Sequence, residues 1–403
     1  MKKILIVSHA MEIGGVERSL LDMLYSIDTS RVQVDLFLYR HGGEWLHMIP
    51  QKVHLLPEIP QYACLAVPAA EVLKKGQWQI LYGRAKGKWK AKKYSKKYKL
   101  KNSTVGIEYS HKYTRKYMPN IQPDTEYDLA ISFLTPHYFV TEKVRAKKKI
   151  AWIHTDYSYI DVDIASERDM WNKYDKIASI SDSCTKGFLS KFPELESKIL
   201  CIENVLSDEL IWKQAGTQIP DEMKGQKNTY KLLSVGRFSH AKNFDNVPDI
   251  CRRILESGIQ IIWYLIGYGG DESLIRQKIE ESGMQEHVVI LGKKSNPYPY
   301  IKACDLYVQP SRYEGKCVAV REAQILQKPV VITRYATSAS QLRDGVDGVI
   351  VPMDNLGCAE GIVRLLRNPE KMKKLSQNCA EREYTNAAEI EKIYAILEED
   401  TLE

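Results

Sequence analysis

The chain contains no apolar run near the roughly 20 residues that a membrane-crossing helix needs, which argues against a membrane-spanning segment. It has no visible repeat with a period of about 20 to 50 residues. It also lacks any C-x-x-C pair. The eight cysteines (Cys64, Cys184, Cys201, Cys251, Cys304, Cys317, Cys358 and Cys379) are scattered. That spacing fits reduced thiols used as small core residues and not a disulfide framework. The nine histidines show no metal-ligand spacing, so nothing in them asks for a metal.

With 403 residues, 44% hydrophobic and 27% charged, the chain has an ordinary globular composition and a length suited to two domains. Its first residues place two lysines before an apolar stretch, Ile4 to Val7, as a signal peptide would. The apolar stretch ends at His9 and Glu12, and no small-residue cleavage site follows. A buried first strand is the better reading, and a cytoplasmic location is expected.

Acids are nearly missing from one segment. Between Arg84 and Tyr117 there are 13 Lys or Arg and one acid, Glu108, a net of +12 against +7 for the whole chain; the remainder is therefore at −5. A charge confined in this way does not fit a protein-wide nucleic-acid field. In that segment Lys86, Lys88, Lys90, Lys92, Lys93, Lys96, Lys97, Lys99 and Lys101 are interleaved with Trp89, Tyr94 and Tyr98. A basic helix with interfacial aromatics suits an anionic membrane surface, at about 1 kcal/mol per cation. The competing reading is a solvated helix. No nucleic-acid module accompanies it, and no nucleic-acid partner is expected.

Along the chain, strand and helix patterns alternate, the mark of parallel sheets covered on both faces. Strands are expected at Lys3–Ser8, Val32–Tyr39, Val53–Leu56, Tyr127–Leu134, Lys149–His154 and Lys176–Ser181. Helical spacing of Trp78, Tyr82, Ala85 and Trp89 predicts a helix from Val67 to about Leu100. The stretch 206–229, with Gly, Pro, Gln and Lys and no apolar period, is expected to be a linker. A second series follows at Lys231–Val235, Ile261–Ile266, Val288–Leu291, Leu306–Gln309, Val330–Thr333 and Gly348–Val351. The expected fold class is α/β, two Rossmann-like doubly wound domains facing across a cleft. Their expected limits are residues 1–205 for an acceptor-binding domain and 230–385 for a nucleotide-sugar domain. A C-terminal helix, 386–403, is expected to pack back towards the first domain. Ligands of such sheets bind beyond the carboxyl ends of the strands.

Two groups of residues lie there. Gly236-Arg237-Phe238 and Lys242-Asn243 follow a strand. Two cations five residues apart suit a diphosphate, Arg237 as a fork of donors and Lys242 as a point charge. Surface residues in a turn would look the same. Gln309 to Ala323 follows another strand and opens a helix near Cys317, whose first amides are free for phosphate or sugar oxygens. Glu314 ahead of that helix and Glu322 within it form a carboxylate pair suited to sugar and ribose hydroxyls. The alternative is a helix cap and a local ion pair.

The succession Gly14-Gly15-Val16-Glu17-Arg18, Gly236-Arg237-Phe238 with Lys242-Asn243, Leu265-Ile266-Gly267-Tyr268-Gly269, Ser311-Arg312-Tyr313-Glu314-Gly315 and Arg321-Glu322-Ala323 resembles the retaining GT-B glycosyltransferases of family four, the glycosyl transferases group 1. The resemblance covers essentially the whole chain, is strongest over residues 230–352, and extends to bacterial capsule and exopolysaccharide transferases. It implies a nucleoside diphosphate sugar donor, uridine-based, retention at the anomeric carbon, and no metal or other cofactor. A glycan or lipid-linked acceptor is implied too, at the inner face of the plasma membrane. Gly14 and Gly15 would approach the diphosphate, and Arg237 and Lys242 would stabilise the leaving group. Glu314, with the backbone of Gly315, Lys316 and Cys317, would bind sugar hydroxyls; Val318 would offer an amide to phosphate and Glu322 would hold the ribose. His154, in Trp152-Ile153-His154-Thr155-Asp156, matches the histidine near the donor sugar.

The sequence departs from the family pattern at Lys316, where an aromatic is usual, at Gln324-Ile325, and at Gln327 before Lys328-Pro329-Val330. Asp161-Val162-Asp163 is a D-x-D, which in another fold chelates a metal; here a solvated helix start is the expected reading. A catalytically inactive membrane scaffold and a sugar-nucleotide epimerase are the alternative functions of the same architecture.

Overall fold

The computed structural model describes residues 1–100, 103–225, 228–314 and 317–399. It divides into two compact units, Met1–Val205 with Asn386–Glu403, and Leu206–Thr385. Both are built on a parallel sheet.

The first unit carries strands β1 Lys2–Ser8, β2 Val32–Leu38, β3 His54–Leu55, β4 Tyr127–Ser132, β5 Ala146–Ile153, β6 Lys176–Ser179 and β7 Ile199–Cys201. Their order is β3-β2-β1-β4-β5-β6-β7, so the direction of winding reverses between β1 and β4. Covered on both faces, β1 is an unbroken apolar run, Ile4 to Val7, at most 1% exposed. The second unit carries β8 Tyr230–Val235, β9 Ile261–Ile266, β10 Val288–Gly292, β11 Leu306–Gln309, β12 Val330–Thr333 and β13 Val349–Val351. The order β10-β9-β8-β11-β12-β13 reverses between β8 and β11. Its buried polar atoms are satisfied across strands: Trp263 Nε1 donates to Ser234 Oγ at 2.9 Å, and that hydroxyl donates to the Val308 carbonyl at 2.5 Å.

Three expectations are corrected. The stretch 206–229 is not a bare linker. Ser207 caps a helix, Asp208–Ala215, whose Leu210, Ile211 and Ala215 are buried, and this helix belongs to the second unit. Two helical turns hold too few apolar residues to show a period. The helix expected from Val67 to Leu100 is two helices, Ala69–Lys74 and Trp78–Tyr98, separated at Gly76 in the left-handed region (φ +68°). Finally, Asp163 is buried and not solvated. It accepts from Ser166 N at 3.2 Å and from Tyr109 Oη at 2.6 Å, capping the helix Ile164–Trp171.

The long basic helix Trp78–Tyr98 packs on Val105–Thr114 through Gly83, Gly87 and Ala91. A Cβ on Gly87 would lie 2.6 Å from the Tyr109 carbonyl oxygen, and one on Gly83 2.8 Å from that of Tyr113. Only glycine permits so close a backbone approach. The aromatics Trp78, Tyr82 and Trp89 consequently point outward, 65%, 55% and 60% exposed. The partner helix is fastened inward by Glu108, which accepts from Ser166 Oγ at 2.6 Å and from Tyr138 Oη.

The C-terminal helix Glu389–Glu398 lies in the first unit. It buries Ile390, Ile393, Tyr394, Ile396 and Leu397, and its Tyr394 Oη accepts from Asp28 N at 2.8 Å.

Candidate functional site

In the second unit the loops after β8 and β11 meet at the sheet's switch point, the place where such sheets bind ligands. Backbone and side-chain bonds join them. Arg312 N donates to the Ala241 carbonyl at 2.8 Å. Asn243, in the left-handed region at φ +60°, is 1% exposed, and its Nδ2 donates to the Pro310 carbonyl at 2.8 Å. Arg312 then clamps Asp245 with two bonds, of 2.9 and 2.7 Å.

This joint brings Lys242 to Glu314, with Nζ 2.5 Å from Oε1. Glu314 is buried, and a chain of donors holds it. Tyr307 Oη donates to Gln309 Oε1 at 2.9 Å, Gln309 Nε2 to Ser311 Oγ at 2.9 Å, and Ser311 Oγ to Glu314 Oε1 at 2.6 Å. The Glu314 carbonyl accepts from Thr337 Oγ1 at 2.7 Å. Arg237, the other expected cation, is exposed just beyond β8 and makes no ion pair among the described residues. One cation is thus held by a carboxylate and the other stands in solvent.

Glu322 lies inside the helix Val318–Ile325, buried, and accepts from Tyr298 Oη at 2.5 Å. Val318 opens that helix and is 47% exposed. The Cys317 amide donates to Gln341 Oε1 at 2.7 Å, so it is not a free donor for a sugar. Burial pushes the Cys317 thiol up to about 12, so it stays a neutral packing group. Gly315 and Lys316 lie outside the described residues.

The other expected residues are in the first unit. Gly14 stands at the cap of the helix Gly15–Ser26, just after β1, with Glu17 in its first turn. His154 follows β5. Its ring lies 4.5 Å from the Phe133 ring, centroid to centroid. Its Nε2 is buried with no hydrogen-bond partner among the described residues. Burial lowers its pKa to about 4. At neutral pH it is an uncharged imidazole whose Nε2 is available for a hydrogen bond.

Sequence reasoning gave no role to Gln309, Ser311, Asn243 or Tyr298. The first three sit inside the quoted motifs, which was the available signal. Tyr298 had none, being 24 residues from its partner.

Residues 217–382 match the family model described as glycosyl transferases group 1, in line with the resemblance carried by the motifs. Alpha-D-kanosaminyltransferase of Streptomyces kanamyceticus is 25% identical over 152 residues, 37% of this chain and 39% of that protein. The N-acetylgalactosamine-N,N'-diacetylbacillosaminyl-diphospho-undecaprenol 4-alpha-N-acetylgalactosaminyltransferase of Campylobacter jejuni is 26% identical over 163 residues, 40% of this chain and 43% of that one. The matched stretch thus spans about two fifths of these relatives. Among solved structures, Anabaena Alr3699/HepE in complex with UDP and glucose superposes with a TM-score of 0.60 at 16% identity, covering 98% of this chain and 99% of that one. At that identity the likeness is one of fold, and the fold is the GT-B pair of Rossmann-like units.

Proposed function

We propose that this protein is a retaining glycosyltransferase that moves a sugar from a nucleoside diphosphate sugar, uridine-based, to a glycan or lipid-linked acceptor, without a metal ion. The observation that carries the reading is the joint of Lys242 with Glu314 at the β8–β11 switch point, with Arg237 exposed beside it. Breaking the donor's anomeric bond leaves a diphosphate of growing negative charge, which must be stabilised by fixed cations and dipoles. Arg237 and Lys242 supply the cations, and the opening turn of the helix at Val318 supplies the dipoles. Glu314 then takes sugar hydroxyls and Glu322 the ribose. The loop at Gly14 and Gly15 contributes amides to the diphosphate. Neutral His154 accepts a hydrogen bond from a sugar hydroxyl through Nε2.

The match of residues 217–382 to glycosyl transferases group 1 supports transfer chemistry, and the UDP in the Anabaena structure supports a uridine donor. Among the described residues no helix is long and apolar enough to cross a membrane. A peripheral position on the inner face of an anionic membrane, reached through the basic segment 84–117, is part of the proposal. Cell-surface polysaccharide synthesis, as in capsule assembly, is the setting that such an acceptor implies.

The test is a panel of nucleotide sugars, scored by thermal stabilisation and by nucleotide release, with and without a chelator. Uridine diphosphate sugars are expected to stabilise the protein and to turn over in the chelator. Binding without turnover in the presence of any acceptor would favour a scaffold. Loss of turnover on chelation, restored by manganese, would remove metal independence.

A further inference from the structure

The donor-site reading turns the first turn of the helix Val318–Ile325 toward the diphosphate, but the N-cap residue of that helix, Cys317, makes no side-chain cap bond. The bonds that hold it come from the connection after β12. There Gln341, 8% exposed, closes the short helix Ser338–Gln341. Its carboxamide pairs with the backbone of Cys317 in both directions. Cys317 N donates to Oε1 at 2.7 Å, and Nε2 donates to the Cys317 carbonyl at 3.2 Å.

The second bond reaches further than Cys317. A trans peptide is planar, so the Cys317 carbonyl and the Val318 N–H belong to one rigid unit and point in opposite directions. Holding the carbonyl on Gln341 therefore fixes where the Val318 N–H points. As the first residue of the helix, Val318 has no intrahelical partner for that N–H, and it is 47% exposed. The far end of the helix is tied to the same connection. Gln324 Nε2 donates to the Asp347 carbonyl at 3.1 Å, and Asp347 Oδ1 accepts from Arg343 N, two residues beyond Gln341, at 2.7 Å. Gln324 and Asp347 are both fully buried, which gives a use to Gln324, one of the departures from the family pattern.

We propose that Gln341 is a positioning residue of the donor site, which aims the Val318 N–H at the diphosphate by holding the Cys317 carbonyl behind it. Gln341 touches no ligand and acts through Cys317. This rests on the donor-site reading above and names the group that orients its helix.

Calorimetry and hydrogen exchange on the full chain, with UDP and inorganic pyrophosphate, test it. Gln341→Met keeps about the length of the side chain and has neither amide group. It should weaken UDP and pyrophosphate by a common factor of about 10 or more, the value of one hydrogen bond to a charged group. In wild type, UDP should slow exchange in the peptide that carries Val318 and Ala319. In Gln341→Met at matched UDP occupancy, that protection should be lost. A packing role alone would lower the melting temperature without touching UDP-dependent protection, so protection is the deciding readout. Gln341→Glu, read at pH 7.5, keeps the acceptor for the Cys317 amide and removes only the donor to its carbonyl. It should lose the same protection, and it serves where Gln341→Met does not fold. Unchanged UDP affinity in Gln341→Met, or wild-type protection in either variant, overturns the positioning role and leaves the donor site standing. If wild type binds neither UDP nor pyrophosphate, the donor-site reading falls, and the role of Gln341 with it.

Discussion

Lys242 and Glu314, 72 residues apart in sequence, form an ion pair of 2.5 Å with the carboxylate buried and the ammonium at its outer side. Two groups proposed to serve different parts of one ligand are thus paired with each other. The pair is a desolvated carboxylate that needs its cation, more than a source of net stability.

Removing either member should therefore have unequal effects. Lys242→Ala leaves a buried charge facing, among the described residues, the donors of Ser311 and Gln309, and should destabilise the second unit by about 1 to 3 kcal/mol. Glu314→Gln removes the charge and frees the ammonium. It should leave stability near wild type, bind pyrophosphate at least as well, and lose sugar transfer. Urea unfolding and pyrophosphate titration check this; equal destabilisation by both changes would refute it.

Tyr298→Phe deletes one hydroxyl that donates to Glu322. If Glu322 holds the ribose, UDP affinity should fall by about 3- to 10-fold, roughly the net value of one typical hydrogen bond. Glu322→Gln should weaken UDP further. An unchanged dissociation constant in Glu322→Gln would place the ribose elsewhere.

The exposed Trp89 lies among lysines of the +12 segment, and the exposed Trp78 opens the same helix just ahead of that segment. Flotation with vesicles of anionic lipid should capture the protein at low salt and release it as salt is raised. Trp78→Ala with Trp89→Ala should cut capture without lowering the melting temperature. Equal capture by neutral vesicles would contradict an electrostatic surface.

Acid should weaken the first unit. Burial lowers His9 and His154 from 6.5 to about 4, and His111 and His137 lie lower than usual for the same reason. A folded value below the unfolded one means that stability is full above about pH 6.5 and is lost as pH falls towards 4. At pH 5 the loss is about 2 kcal/mol each for His9 and His154. Glu167, raised by burial to about 7 from 4.5, acts in the opposite sense and offsets about 2 kcal/mol of it. Urea unfolding of wild type and His9→Gln at pH 7.5 and 5 should show a smaller acid loss in the variant. The same loss in both would exclude His9 as a source.

Strands were the most legible part of the fold. β9, β11 and β12 coincide with their apolar runs, because strands covered on both faces must be apolar throughout. β7, three residues long, has no pattern to read. For the site, the motifs marked which loops matter but not how they join. That depends on Asn243 turning into the left-handed region and reaching Pro310, 67 residues away. Aromatic spacing was legible too, but its direction was not. Trp78, Tyr82 and Trp89 keep helical period while facing out, because Gly83, Gly87 and Ala91 own the inner face.

That division gives the two-helix arm a modular character. The seam that fastens it and the side chains it shows to the surroundings have no residue in common. The outer lettering can be rewritten, in charge or in aromatic content, while the hinge pins stay the same. Such an arm lets its outer surface change without disturbing the packing that holds it.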